Sequence, residues 1–205
     1  MAVRSAFPPH ERSRSVRIRT LHHAEDEPLR QVFAGLSQRS RLLRYHSAVP
    51  ALSSSMVAAL VNIRPGHHVD FAAEIDGEPV GIVRWIRLPG RPAHAELAAE
   101  VVDAVQGRGL GRQLAAAAAR SALAAGIGWF TLWVNADNVA LRQRLRAVNA
   151  GVAVDDPDEF HLPVTTLLPV SRDRTITPVV PPRFSVDPVS LTRVRVRDGG
   201  RRLRG

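Results

Sequence analysis

Cysteine is missing from all 205 residues. That excludes disulfides, cysteine-ligated zinc and a thiol nucleophile, and it fits a reducing, cytoplasmic setting. Lysine is missing too, so every basic side chain is Arg and none of the chain's own side chains can be modified as lysine. Aromatic residues make up only 5%, with a single tyrosine, Tyr45. No apolar run approaches the roughly 18 residues that span a bilayer; the Ala-rich stretch 114–125 is broken by Arg120 and Ser121. Residues 1–16 contain basic groups but no apolar core, which argues against a secretory signal. No His-Glu-x-x-His occurs, and the adjacent pairs His22-His23 and His67-His68 cannot share a face, so no metal site is expected.

What is present is a globular composition, 45% apolar, with net charge +9. The charge is uneven. Residues 171–205 hold nine Arg against three Asp, a surplus of six, and the other 170 residues carry a surplus of three. Three segments follow: a polar stretch 1–15, a patterned domain 16–170, and an Arg/Pro-rich tail 171–205. The tail reads as a solvated extension. Clustered arginine attracts phosphates, so any nucleic-acid contact would run through it.

Periodicity predicts the elements. Val16–Leu21 alternates as a half-buried strand. Helices are expected over 26–36, 39–45 and 53–61, with Ser53 as an N-cap. Strands 69–75 and 80–88 flank Asp76-Gly77, a hairpin signal. A strand over 95–102, a helix over 112–125 closed by Gly126, a strand over 129–134, a helix over 136–148 and a last strand over 164–168 complete the chain. The mixture predicts a mixed sheet flanked by helices. Trp85, Trp129 and Trp133 read as core, and His94 reads as a loop histidine.

Between the strand at 95–102 and the next helix lies Gln106-Gly107-Arg108-Gly109-Leu110-Gly111, followed by Arg112. Glycines admit positive φ and let a ligand approach bare backbone. The helix start adds unpaired amides and the positive end of a dipole. That combination suits a diphosphate. It is not G-x-G-x-x-G, because the third glycine comes one residue early, and no G-K-[ST] follows. Alone, the turn could equally be a tight strand-to-helix connection.

The surroundings resolve that ambiguity. Gln106, Gly109 and Gly111 match the Q/R-x-x-G-x-G/A loop of the GNAT acetyltransferase superfamily, which the chain resembles over about 16–170. Glu96 lies on the preceding strand, and Asn135-Ala-Asp-Asn138 follows the next one. Ser37–Tyr45 is similar to the LSxxSRxxRF segment of the bacterial protein lysine acetyltransferases of the Pat type. Val80–Trp85 is similar to their VGxARY strand, and Ala95-Glu96-Leu97-Ala98 to their AEF/VA.

The resemblance implies an α/β GNAT fold, with a mixed, mostly antiparallel sheet splayed at the cofactor site. It implies acetyl-CoA as acyl donor, held by Gln106, Gly107, Arg108, Gly109, Leu110, Gly111, Arg112 and Asn138. It also implies a strand, often bulged, whose backbone at Ala98, Ala99, Glu100 and Val101 meets the acetyl and pantetheine groups. Glu96 takes the general-base role. The two glutamates at i and i+4 share a strand face, and a buried carboxylate suits base work near neutral pH; Glu100 is expected to face either substrate or solvent. The helix after Asn138 carries no tyrosine, which leaves protonation of the leaving thiolate to solvent. An acidic cleft would suit a cationic acceptor, foremost a protein lysine. A small-molecule amine and a non-catalytic acyl-CoA-binding fold stay open as alternatives.

Overall fold

A computed structural model describes residues 16–148, 150–153 and 156–169. Asp76 and Gly77 both adopt positive φ, 55° and 89°, as a tight hairpin turn matched to strand twist requires. They join β2 (His68–Ile75) to β3 (Glu78–Leu88). β1 (Val16–Thr20) covers the free edge of β2, and β4 (Arg91–Val101) runs back along β3. The chain then crosses through α4 (Leu110–Ala124) to β5 (Trp129–Trp133), which lies parallel to β4. Two further strands, β6 (Gly151–Val152) and β7 (Glu159–Pro163), complete a sheet of order β1-β2-β3-β4-β5-β7-β6. Every neighbour pair except β4–β5 is antiparallel.

Helices cover both faces. On one side α4 packs Leu110, Leu114, Ala118 and Ala122 against Trp85, Leu97, Phe130 and Leu162. α5 (Val139–Ala147) adds Leu145 to this layer. On the other side α1 (Glu27–Ala34) and α3 (Ser54–Leu60) bury Leu29, Val32 and Val57 over Ala72 and Ile82. Between them runs α2 (Gln38–Tyr45), capped by the Ser37 hydroxyl, which accepts from Ser40 N–H at 3.2 Å. Ser53 caps α3 in the same way. The bend between α1 and α2 is tight: a Cβ on Gly35 would meet Val102 Cγ1 at 2.5 Å.

Three expectations need correcting. The last strand is not at 164–168; Val164–Leu167 is a 3₁₀ turn. Pro163, at φ −59°, stands where that turn begins. The closing strands are β6 and β7, whose Phe160 and Leu162 alternate with half-buried Glu159 and His161. Trp129 is 43% exposed and not core, because it opens β5 on the face that α4 does not cover, whereas Trp85 is 1% exposed. Helix α4 starts at Leu110, two residues early, since buried Leu110 already anchors its first turn. Asn149 and the Arg-rich tail lie outside the described residues. Among the described residues no helix is long and apolar enough to cross a membrane.

Candidate active site

The sheet forks between β4 and β5. They pair only at His94↔Trp129, Ala95↔Phe130 and Glu96↔Thr131. Beyond that row β4 continues to Val101 with β3 as its single partner. No register shift occurs between Ala95 and Val101; the irregularity expected there lies at Arg87/Leu88. The opening is therefore a divergence of two strands rather than a bulge.

The phase of the β3–β4 ladder shows which backbone groups face the fork. Val102 N–H donates to the Val80 carbonyl at 2.9 Å, while Gly128 N–H on the opposite side donates to the Ala93 carbonyl at 2.9 Å. Successive strand residues alternate their backbone direction in an antiparallel pair. Ala98 and Glu100 thus turn toward β3, and Leu97, Ala99 and Val101 toward the fork. This narrows the expected backbone edge: Ala98 and Glu100 are engaged by the sheet, and Leu97 joins Ala99 and Val101.

At the end of β4 the chain enters the Gly-rich turn. Gln106 Nε2 donates to the Val101 carbonyl at 2.8 Å and to Asp103 Oδ1 at 3.1 Å. Its side chain ties the turn to the strand. Asp103 also accepts from Ser37 N–H at 3.4 Å, and its own N–H donates to the Gly35 carbonyl at 3.2 Å. Burial opposes its charge, but hydrogen bonds from Ser37 and Ser40 outweigh that and lower its pKa. One carboxylate thereby connects the Gly-rich turn with the start of α2.

The turn fits a diphosphate. Gly107 and Gly109 hold φ 77° and 80°, and a Cβ on Gly107, Gly109 or Gly111 would point into open space. At the start of α4 the Leu110 and Gly111 amides have no acceptor within the helix, while Arg112 and Gln113 N–H donate to the Gly109 carbonyl at 3.1 and 3.2 Å. Arg108 is exposed, and so is Arg112 one residue beyond Gly111. Asn138 caps α5, its Oδ1 accepting from Leu141 N–H at 3.3 Å; that role occupies the oxygen and leaves the amide nitrogen outward.

Glu96 sits at the last paired row before the fork, half-buried. Among the described residues no hydrogen bond or ion pair engages its carboxylate. Across the same row Thr131 Oγ1 meets His161 Nδ1 at 3.1 Å, and His161 Nε2 lies 3.3 Å from Glu159 Oε1. His94, two residues before Glu96, is a strand residue on the same face and not a loop histidine; it stacks on Trp129 with centroids 6.3 Å apart. Burial, aided by Arg91 and His161, lowers its pKa.

Glu100 behaves differently. It is 5% exposed, so neither a solvated rim nor an open cleft describes it. Tyr45 donates its hydroxyl to Oε2 at 2.9 Å, Arg44 Nε stands 3.6 Å away, and Arg84 Nη2 lies 3.9 Å from Oε1. Arg84 in turn faces Asp70 at 3.2 Å, and Asp70 meets His68 Nε2 at 2.9 Å. This buried chain crosses β2, β3 and β4 beneath α2. Burial opposes the Arg84 charge, yet Asp70 and Glu100 outweigh it and raise its pKa. Burial next to Glu100 also pushes the Tyr45 hydroxyl well above its usual pKa. Sequence reading assigns no role to Asp70, Arg84 or Arg44; the available signals are charges inside largely apolar strands, Asp70 and Glu74 in one and Arg84 and Arg87 in the other, and the arginines of the Ser37–Tyr45 and Val80–Trp85 segments.

Helix α2 closes the site from above. Its C-cap His46, at φ 56°, places Nε2 at 3.2 Å from the Trp133 carbonyl at the end of β5. The helix therefore reaches from β4 across to β5 at the open end of the fork.

The sequence profile described as acetyltransferase (GNAT) family matches residues 38–146. The chain belongs to the GNAT acetyltransferase family. Among solved structures, the GNAT domain of S. lividans PAT aligns with TM-score 0.66 at 26% identity, covering 72% of this chain and 90% of that one. The fold is shared with yncA of Salmonella typhimurium, solved with its cofactor acetyl-CoA, at TM-score 0.56 and 15% identity, covering 78% and 99%. It is shared too with a cAMP-binding acyltransferase from Mycobacterium smegmatis, in a mutant form, at TM-score 0.50 and 22% identity; the alignment covers 73% of this chain and 44% of that one. No curated protein matches the chain significantly. As a GNAT member it is an acyl-CoA-dependent N-acetyltransferase with acetyl-CoA as the donor.

Proposed function

We propose that this GNAT enzyme transfers acetyl directly to the ε-amine of a protein lysine, with Glu96 as general base, in the cytoplasm. The observation that carries this reading is the contrast between two carboxylates on one strand face. Glu100 accepts from Tyr45 and is ion-paired with Arg44 and Arg84. Glu96 has no such partner and stands where the strands part. A general base must be free to take a proton and must lie beside the reacting atoms.

Bound acetyl-CoA supplies an acyl group activated as a thioester. The bare amides of the turn from Gly107 to Gly111 and the guanidiniums of Arg108 and Arg112 would hold its diphosphate, with Asn138 flanking the same side. Ala99 and Val101, whose backbone faces the fork, align the acyl arm. Glu96 would remove a proton from the incoming ammonium; the neutral nitrogen would then attack the acyl carbon, the carbon–sulfur bond would break, and the nitrogen would release its second proton to solvent. Solvent protonates the departing thiolate, since Tyr45 is committed to Glu100.

Glu96→Gln tests the reading. Acetyl transfer to lysine peptides should fall by about 10²- to 10⁴-fold, while calorimetric binding of acetyl-CoA stays unchanged. Transfer at the wild-type rate would remove Glu96 from the role. Acetylation of small amines alone, with none on any protein or peptide, would remove the lysine acceptor.

A further inference from the structure

Three polar side chains stand in one row at the foot of the fork. The register pairs Glu96 with Thr131 on β5, and Thr131 with His161 on β7. Paired residues of neighbouring strands present their side chains to one face, and successive residues of a strand to opposite faces. The residues flanking the row are Ala95 and Leu97, Phe130 and Leu132, and Phe160 and Leu162, and all six pack into the core beneath α4. Glu96, Thr131 and His161 therefore share the opposite face. The charge of His161 is felt at His94, two residues before Glu96 on that face.

The hydrogen bonding of the row has a direction. Glu159 Oε1 lies 3.3 Å from His161 Nε2. An ionised carboxylate only accepts, so it holds the ring proton on Nε2. Nδ1 is then the acceptor, and the Thr131 hydroxyl donates to it across 3.1 Å. With its hydrogen committed there, Thr131 Oγ1 keeps lone pairs for its other neighbour, Glu96, one strand spacing of about 4.8 Å away. An ionised Glu96 has no hydrogen to offer them, which accounts for a carboxylate with no hydrogen bond beside a hydroxyl. Once Glu96 takes a proton it becomes a donor, and Thr131 is the acceptor in its row. Exposure runs the same way: Thr131 is 0% exposed, whereas the His161 side chain keeps 26% of its surface open.

We propose that Thr131 and His161 form a relay that empties Glu96 after each transfer, with Glu159 positioning the ring. The O–H bond of protonated Glu96 breaks as a new O–H bond forms on Thr131 Oγ1, and the original Thr131 proton passes to His161 Nδ1. The imidazolium, held by Glu159, returns one proton to solvent, and exchange at the ring restores the Nε2–H form. Both residues act through Glu96 rather than on the substrate. The proposal rests on Glu96 as base and adds how that base is restored.

The test compares Thr131→Val, Thr131→Ser and His161→Gln with Glu96→Gln, using a lysine peptide and, in parallel, a small primary amine as acceptors. Val keeps the shape of Thr without the hydroxyl, Ser keeps the hydroxyl, and Gln keeps an acceptor for Thr131 but takes no proton. Thr131→Val and His161→Gln should each lower steady-state kcat by about ten-fold, less than the loss of the base itself, with both KM values unchanged. Thr131→Ser should retain the wild-type kcat. Glu96 begins each cycle as a carboxylate, so a single turnover with enzyme in excess should keep its wild-type rate in Thr131→Val and His161→Gln. Adding Thr131→Val to Glu96→Gln should cost nothing further, since groups acting in one chain are not additive. His161→Gln, at a part-exposed position, carries the test should the buried Thr131 variants not fold. Wild-type kcat in Thr131→Val or His161→Gln, equal losses in Val and Ser, or a single turnover slowed as much as the steady state overturns the relay and leaves Glu96 as base standing. Wild-type kcat in Glu96→Gln removes the base and the relay with it.

Discussion

Tyr45 donates its hydroxyl to Glu100 across 2.9 Å, and this bond fastens α2 to the strand that carries Glu96. Phe33 supports the ring edge-on at 5.7 Å. Tyr45→Phe keeps the ring and removes the donor. The buried carboxylate then loses its best-aligned partner, so stability should drop by about 1–2 kcal/mol, read from urea unfolding. Because α2 borders the acceptor path, the acceptor KM should rise more than the acetyl-CoA KM. A change confined to the acetyl-CoA KM would contradict the placement of α2.

Glu100 and Glu96 should separate cleanly on stability. Glu100→Ala leaves Arg84, 2% exposed, facing Asp70 alone. Breaking a buried ion pair by removing one partner costs about 3–5 kcal/mol. Glu96→Ala removes a half-buried group that, among the described residues, no hydrogen bond or ion pair engages, and should cost less than about 1 kcal/mol. Denaturation midpoints of the two variants check the ranking; equal losses would mean that Glu96 is also held by the fold.

The Gly-rich turn offers an opposed pair of effects. Gly111 lies inside α4 with open space where a Cβ would be. Gly111→Ala should stabilise the ligand-free protein by about 0.5–1 kcal/mol through helix propensity, yet weaken acetyl-CoA binding because the methyl projects where phosphate would lie. Gly109→Ala places a side chain at φ 80° and should instead destabilise by about 1–2 kcal/mol. Thermal shifts with and without acetyl-CoA distinguish the two. Unchanged donor affinity in Gly111→Ala would move the diphosphate away from the turn.

These contrasts show what a single sequence discloses. The Gly-rich turn, its helix, the Asp76-Gly77 hairpin and the cap Ser53 were legible, because each is a local backbone requirement met by a few residue types. Asp70 and Arg84 were visible only as stray charges in apolar strands. The register that sets them opposite one another is a property of pairing, and no local pattern states it. The role of Glu100 depends on α2, which lies 55 residues earlier at Tyr45. The closing strands were missed because β6 is two residues long and β7 follows an acidic, Pro-containing stretch; the Val-Thr-Thr run after Pro163 mimicked strand composition while its backbone turned into a 3₁₀ coil.

His94 makes stability depend on acid. Its pKa is lowered in the folded chain by burial, with help from Arg91 and His161, so the unfolded chain binds its proton more readily. The contribution is complete above the ordinary histidine pKa of about 6.5 and is lost as pH falls from there through the folded value. The melting temperature should decline between about pH 7 and 5, and His94→Gln should flatten part of that decline. An identical slope in the variant would assign the acid sensitivity elsewhere.

The parting of β4 from β5 has a cost outside chemistry. It leaves strand edge in the middle of a sheet, around exposed Ala99, and unpaired edges invite pairing with other chains. A donor seated in the gap, as proposed above, would also shield that edge and by mass action favour the folded state. Under that reading, scarcity of acetyl-CoA would leave the enzyme with its aggregation-prone edge bare.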